Sequence, residues 1–281
     1  MIETAQRTGQ LMGIDFHKRE DPRMKEAETR YQSGRYGQFQ VGTWYMLDKL
    51  MVADPNHDPM FFATPDFAAK NTPISFLTVH MCDALIKIVD LVPVSVRATG
   101  YGHTLPNLSP IAVPGYDLCD TEITFQNGAA AHIITVWHLP NTAHATTVQS
   151  SRMICSEGLF DLGLDTPGYY EIHEEGLFQV NPLFKNFEKD GTVTGYGISS
   201  PGRLYQKFLA SRNGALADEV RADMMTPTAL GFYTSAVLEA AEQSLELGTP
   251  IAEGVTQGTA VSVVSLVVDQ LGAEAAAGYG Y

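Results

Sequence analysis

Two alternating runs, Asp117 to Phe125 and Ala129 to Leu139, flank Gln126-Asn127-Gly128, and few architectures accept that arrangement. Asn-Gly supplies the positive φ that a tight hairpin needs, and alternation at period two gives each flanking strand one buried and one outward face. Ala145 to Ser156 continues as a third strand, so the spacing predicts an antiparallel meander. Short alternating runs follow a turn at Glu157-Gly158: LFDLGL, YYEIHEE and LFQV. Ahead of the hairpin, Gln38 to Leu47 (QFQVGTWYML) is a β-branched and aromatic strand in which Gly42 marks a bulge or a close approach. The sheet should hold at least about six strands.

The strongest chemical signal lies between these strands. From Asn71 the chain reads as a helix that runs into the strand VPVSVRATG. At 3.6 residues per turn Leu77, Met81, Ala84, Leu85 and Ile88 share one face, while Phe76, His80, Asp83 and Lys87 share the other. Asp83 follows His80 by three residues, so the spacing predicts a carboxylate that orients the imidazole and favours its protonated form. The same pattern also fits a helix whose solvent face holds a histidine and two charges. The loop before it, residues 53–75, carries Pro55, Pro59, Pro65 and Pro73 and can be neither continuous helix nor strand. It is a candidate wall for a site.

Elsewhere, residues 2–12 read as a short helix and LMGIDFHK as a strand ending in the basic cluster His17, Lys18 and Arg19. A helix follows, with Asp21 as N-cap, Pro22 at its first position and Gly34 at its end. Polar, turn-rich sequence from Asn181 leads to the helix GRLYQKFLASRNG. A long helix is predicted to open at Thr226-Pro227 and close at Gly248, residues 255–273 suit helix or strand, and AAAGYGY reads as a frayed end.

Composition removes several classes of function. Eighteen Lys and Arg against 32 Asp and Glu give a formal charge of −14, with no basic run to attract nucleic acid. No apolar run is long enough to span a bilayer and no signal-peptide pattern opens the chain, so the expectation is a soluble, cytoplasmic protein without a membrane partner. Cys82, Cys119 and Cys155 are widely separated, which predicts reduced core thiols and no metal site.

Several stretches resemble the Gfo/Idh/MocA oxidoreductases, named for glucose-fructose oxidoreductase and inositol dehydrogenase. They are IDFHKREDP, SGRYGQF, VHMCDALIKIV with VPVSVRA, FQNGAAAHIITVWHLP, SEGLFDL and ALGFYTSAVLEAAEQSLELGTPI, in the family's order and together spanning roughly residues 5–251. The resemblance implies an α+β fold with a large open, mostly antiparallel sheet and helices packed on one face. It implies three regions: the end of a Rossmann domain at 1–13, a substrate-binding and oligomerisation domain at 14–251, and an extension at 252–281. By the same resemblance, His80 and Asp83 are the catalytic pair, Lys18 contacts a substrate hydroxyl, and Tyr196 lines the site. The cofactor implied is NAD or NADP, the substrate a sugar, polyol or related hydroxy compound, and the assembly a homo-oligomer joined through the open face of the sheet.

The sequence also departs from the family. No G-x-G-x-x-G occurs; Gly100-Tyr101-Gly102 and Gly195-Tyr196-Gly197 come nearest, without a helix expected to open behind either. The Glu-Lys-Pro stretch that would carry a catalytic lysine is absent, and Phe76 stands where many members place an aspartate four residues before the histidine. This polypeptide alone is therefore not expected to bind the dinucleotide. Three readings stay open: a part of a dehydrogenase, a partner of a separate Rossmann-domain chain, or a catalytically silent module for binding or self-association.

Overall fold

The computed structural model describes residues 2–164, 170–173, 176–179, 186–187 and 193–281. Its helices are α1 (Ile2–Thr8), α2 (Pro22–Gln32), α3 (Phe67–Lys70), α4 (Val79–Val89), α5 (Ser200–Arg212), α6 (Asp218–Met224), α7 (Phe232–Glu246), α8 (Val263–Leu271) and α9 (Ala273–Ala277). The main strands are β1 (Phe39–Lys49), β2 (Pro93–Tyr101), β3 (Leu118–Phe125), β4 (Ala130–Leu139), β5 (Thr147–Cys155) and β6 (Gly158–Gly163). Two small hairpins follow, β7 (Tyr170–His173) with β8 (Gly176–Gln179) and β9 (Asn186–Phe187) with β10 (Val193–Thr194). Late in the chain come β11 (Thr249–Ala252), β12 (Val255–Gln257) and β13 (Val261–Ser262).

Nine strands form one open sheet in the order β11-β12-β2-β3-β4-β1-β5-β6, with β13 also paired to β2. Every pairing is antiparallel except β1 with β4. This is the open, mostly antiparallel α+β sheet expected. The β3–β4 hairpin turns at Gln126-Asn127-Gly128, where Gly128 has φ +84°. The meander does not continue as predicted, because β1 inserts between β4 and β5. Its aromatic, β-branched residues can be buried on both edges, whereas an N-terminal strand left outside would expose one edge.

Alternation decides which side faces the core. Trp44, Met46 and Asp48 of β1, Ile133, Thr135 and Trp137 near the end of β4, and Gln149, Ser151 and Met153 of β5 are buried; α4 packs against β1, and α7 lies against β2. Close approach, not a bulge, explains Gly42: a Cβ there would stand 3.1 Å from the Phe39 ring. On the opposite face Val41, Ile154 and Leu159 are 41%, 40% and 57% exposed, so the sheet has one packed and one open side. Cys82, Cys119 and Cys155 are free and buried, as expected.

Other local expectations need correction. Residues 11–16 are not a strand, and His17–Glu20 winds into a 3-10 turn closed by Asp21 N–H to the Lys18 carbonyl. That turn is held against α4 and the 228–229 backbone, so its backbone joins no strand. α2 starts as predicted, its Asp21 carboxylate accepting from Arg23 N–H. α7 begins at Phe232, because Gly231 adopts φ +64° and breaks the run from Thr226. The 255–273 stretch divides into strands followed by α8. The C-terminal tyrosines are not frayed: Tyr279 stacks on Phe232 with ring centroids 4.2 Å apart, and its carbonyl accepts from the Tyr233 hydroxyl at 2.8 Å. The turn-rich stretch from Asn181 falls largely outside the described residues, as do parts of YYEIHEE and LFQV.

Candidate functional site

The site forms where the 3-10 turn, the start of α4 and the Tyr196 loop meet over the ends of β1 and β5. Pro73 begins a wide i→i+5 turn, Ile74–Thr78, that delivers His80 one residue into α4. Such turns are rare and recur at functional positions. Tyr196 sits at φ +46° between two glycines of positive φ. A Cβ on Gly197 would collide with the His17 carbonyl, so only glycine lets this loop lie against the turn.

Lys18, Tyr196 and His80 gather around His17. Lys18 Nζ donates to Gln149 Oε1 and, at 3.2 Å, to the Tyr196 hydroxyl. It also lies 4.9 Å from the centroid of the Tyr196 ring. The His17 ring is 5.3 Å from the His80 ring and 5.4 Å from that of Tyr196. Gln149 Nε2 donates to the Tyr196 hydroxyl at 3.0 Å and to Thr147 Oγ1 at 3.3 Å.

Asp83 does not join this group. Both of its oxygens accept from Arg19, Nε at 2.9 Å and Nη2 at 2.5 Å, and Arg19 also donates to the carbonyls of Thr228 and Ala229. The pair is a clamp: it ties the 3-10 turn to α4 and to the turn before α7, which fixes His17 and Lys18 in place. The spacing of His80 and Asp83 was read correctly, but a forked guanidinium that satisfies two carboxylate oxygens is the stronger partner. Burial still pushes the Asp83 carboxyl upward despite Arg19.

Electrostatics reverse the expectation for His80. Burial, together with the charge of Lys18 and the neighbouring His17, lowers its pKa to about 3, so the imidazole is neutral at physiological pH. Burial also lowers Lys18, to about 8, with Arg23 lowering it further and Asp21 and Asp48 opposing. Tyr196 is pushed up by burial. Lys18 is thus brought within reach of proton exchange near neutrality, while His80 is not.

Asp48 and Gln149 are the site residues that motif reading missed. Asp48 is 5% exposed and its Oδ1 has no hydrogen-bond partner, while burial raises its pKa to about 6, against Thr147 and Lys18. Strand parity carried the signal: Asp48 follows Trp44 and Met46 at period two, as Gln149 precedes Ser151 and Met153, so both point inward. Among the described residues no acidic, histidine or cysteine cluster could hold a metal ion. A separate cleft of about 480 Å³ opens on the Arg19 side of the turn. Its Lys25 and Lys87 are paired with Glu20 and Glu28.

No family model and no curated protein matches the sequence. Solved structures do match the fold. A myo-inositol dehydrogenase from Corynebacterium glutamicum superimposes with TM-score 0.54 at 19% identity, covering 88% of this chain and 63% of that one. This chain shares their fold. A scyllo-inositol dehydrogenase from Lactobacillus casei, with bound NAD(H) and scyllo-inositol, matches with TM-score 0.57 at 16% identity, over 91% of this chain and 68% of its own. An Agrobacterium radiobacter oxidoreductase in complex with NAD+, L-tartaric acid and magnesium gives 0.60 at 14% identity, over 94% and 68%. The chain thus spans about two thirds of the length of the structures it matches.

Neither of the two glycine stretches nearest the fingerprint offers a phosphate turn. Gly100 is packed by the Tyr116 ring, 2.6 Å from where a Cβ would stand, and Gly102 by the Gly115 carbonyl at 2.5 Å. A helix does open behind Gly195-Tyr196-Gly197, contrary to expectation, but the Asp15 carboxylate already accepts from Ser200 in the first turn of α5. An anion there would meet a like charge.

Proposed function

We propose that this chain is the substrate-binding and oligomerisation part of a Gfo/Idh/MocA-type oxidoreductase that acts on a hydroxyl-bearing small molecule of the sugar or polyol class. The cluster of Lys18, Gln149, Tyr196 and His80 carries the reading, because it offers donors and acceptors to a hydroxyl at the place where buried titratable groups converge. In this reading Lys18 takes the hydroxyl proton, and neutral His80 orients the hydroxyl by a hydrogen bond. The role of base falls to Lys18 rather than to His80, because an imidazole with a pKa near 3 is too weak a proton acceptor while the lysine lies near the working pH. Asp83 serves by holding the turn through Arg19. The nicotinamide dinucleotide belongs to a Rossmann-type domain, in the same polypeptide or in a separate chain, and no step is drawn through it.

Self-association through the open face is part of the proposal, supported by Val41, Ile154 and Leu159 at its surface. Saturation-transfer NMR with myo-inositol tests the site: transfer that disappears in Lys18→Met supports it, and transfer that survives sinks it. Calorimetric titration with NADH and NADPH tests the cofactor reading, where saturable micromolar binding by this chain would overturn it.

A further inference from the structure

The aromatic side chains that lead into the His80 helix constrain the ligand further. Phe76 precedes His80 by four residues, and in the wide turn that joins them four residues come close to one full revolution, so both lie along one side of the helix. Phe76 meets Phe67 edge-on at 4.9 Å, Phe62 at 5.6 Å and Trp137 at 6.1 Å between ring centroids. Phe62 and Phe67 stack at 4.1 Å. Only Trp137 is fully buried; Phe62, Phe67 and Phe76 are half-buried, while Met60 and Phe61 beside them are 42% and 46% exposed.

The strand register sets Trp137, on which Phe67 and Phe76 pack, two strands across from the polar group. Leu47 pairs with Val136 and Lys49 with Leu139, so Trp137 and His138 together oppose Asp48, and Asp48 opposes Thr147 on the other side. With strands about 4.8 Å apart, Trp137 and Thr147 stand about 10 Å from each other. The Lys18–Gln149–Tyr196 network joins at Thr147. A free polyol would turn hydroxyls towards the aromatic half and leave them without partners, which costs affinity.

We infer that the ligand of this site carries a flat apolar group next to its hydroxyls, packed on Phe62, Phe67 and Phe76 while a hydroxyl meets Lys18 and His80. The inference rests on the reading of the Lys18 cluster as a hydroxyl site, and it narrows the substrate class from free sugars or polyols to aryl-bearing hydroxy compounds.

Phenyl β-D-glucopyranoside and methyl β-D-glucopyranoside differ only in the group to be tested. Calorimetric titration of the full chain should show the phenyl glucoside binding at least tenfold more tightly, with saturation transfer strongest at the ring protons. Phe76→Leu, which keeps the bulk of the side chain and so guards against misfolding, should abolish the preference. Lys18→Met should weaken both ligands alike. Equal binding of the two glucosides, each weakened by Lys18→Met, overturns the aromatic inference and leaves the hydroxyl site standing. A phenyl preference that needs Phe76 but ignores Lys18 upholds the aromatic surface and removes the hydroxyl site. If neither glucoside binds at millimolar concentration, or if Phe76→Leu alters only self-association, the surface belongs to a protein partner and the inference fails.

Discussion

Replacing Lys18 with methionine should reveal how much stability the site gives up for its chemistry. Burial moves the amine from 10.5 to about 8, and at about 1.4 kcal/mol per pH unit that amounts to about 3 kcal/mol against folding while the amine is charged. The unfolded chain keeps its proton up to about 10.5 and the folded chain releases it near 8, so between these values the unfolded state binds more protons. Stability contributed by this group therefore rises with pH, and roughly 2.5 kcal/mol of the penalty should be gone by pH 10. Methionine carries no such charge at any pH. It does leave Gln149 Oε1 without its donor and the Tyr196 hydroxyl with Gln149 Nε2 alone, a cost of about 1–3 kcal/mol that is nearly constant with pH. The measurement is urea unfolding of both proteins from pH 7 to 10. The free-energy difference between them should shift by roughly 2.5 kcal/mol in favour of the lysine form as pH rises. A difference that stays flat would mean the amine is solvated and the account of the site is wrong.

His80 should show no imidazole titration between pH 5 and 8 by nitrogen-resolved NMR, because burial holds its pKa near 3; a midpoint above 6 would place the ring in water. Asp83→Asn should destabilise the fold by about 3 kcal/mol or more in urea, since it strips the counter-charge from a nearly buried Arg19; a loss below about 1 kcal/mol would deny the clamp its role. Ile154→Glu together with Val41→Glu, both on the open face, should convert the proposed oligomer to a monomer in sedimentation while leaving the circular dichroism spectrum unchanged. A native protein that already sediments as a monomer at micromolar concentration would remove the proposed interface.

The parts of this architecture readable from sequence are those that local chemistry decides. Asn127-Gly128 and its flanking alternation fixed a hairpin, and Asp21-Pro22 fixed the start of α2, because turn and cap geometry need only neighbours in the chain. Insertion of β1 between β4 and β5 was not readable, since several strand orders bury the same alternating residues. The site divides in the same way. Lys18, His80 and Tyr196 were named and do converge, but the choice of Arg19 over His80 as the partner of Asp83 depends on a contact between residues 64 positions apart. Asp48 was within reach of strand parity alone, yet a single carboxylate at the end of an apolar run reads first as a solvated strand end.

The position of β1 also sets the order in which the molecule can be completed. A ribosome releases residues 39–49 long before their partners at 130–139 and 147–155. Until both arrive, a strand with the fully buried Trp44 and Phe39 has neither edge satisfied, and its pairings demand closure of loops of roughly a hundred residues. The nascent chain thus carries a sticky, unpaired segment while roughly a hundred further residues are made, which makes slow assembly and dependence on holding chaperones a built-in property of the topology. A rearranged chain with the β1 segment transplanted between β4 and β5 would shorten that exposure without changing the strand order of the finished sheet.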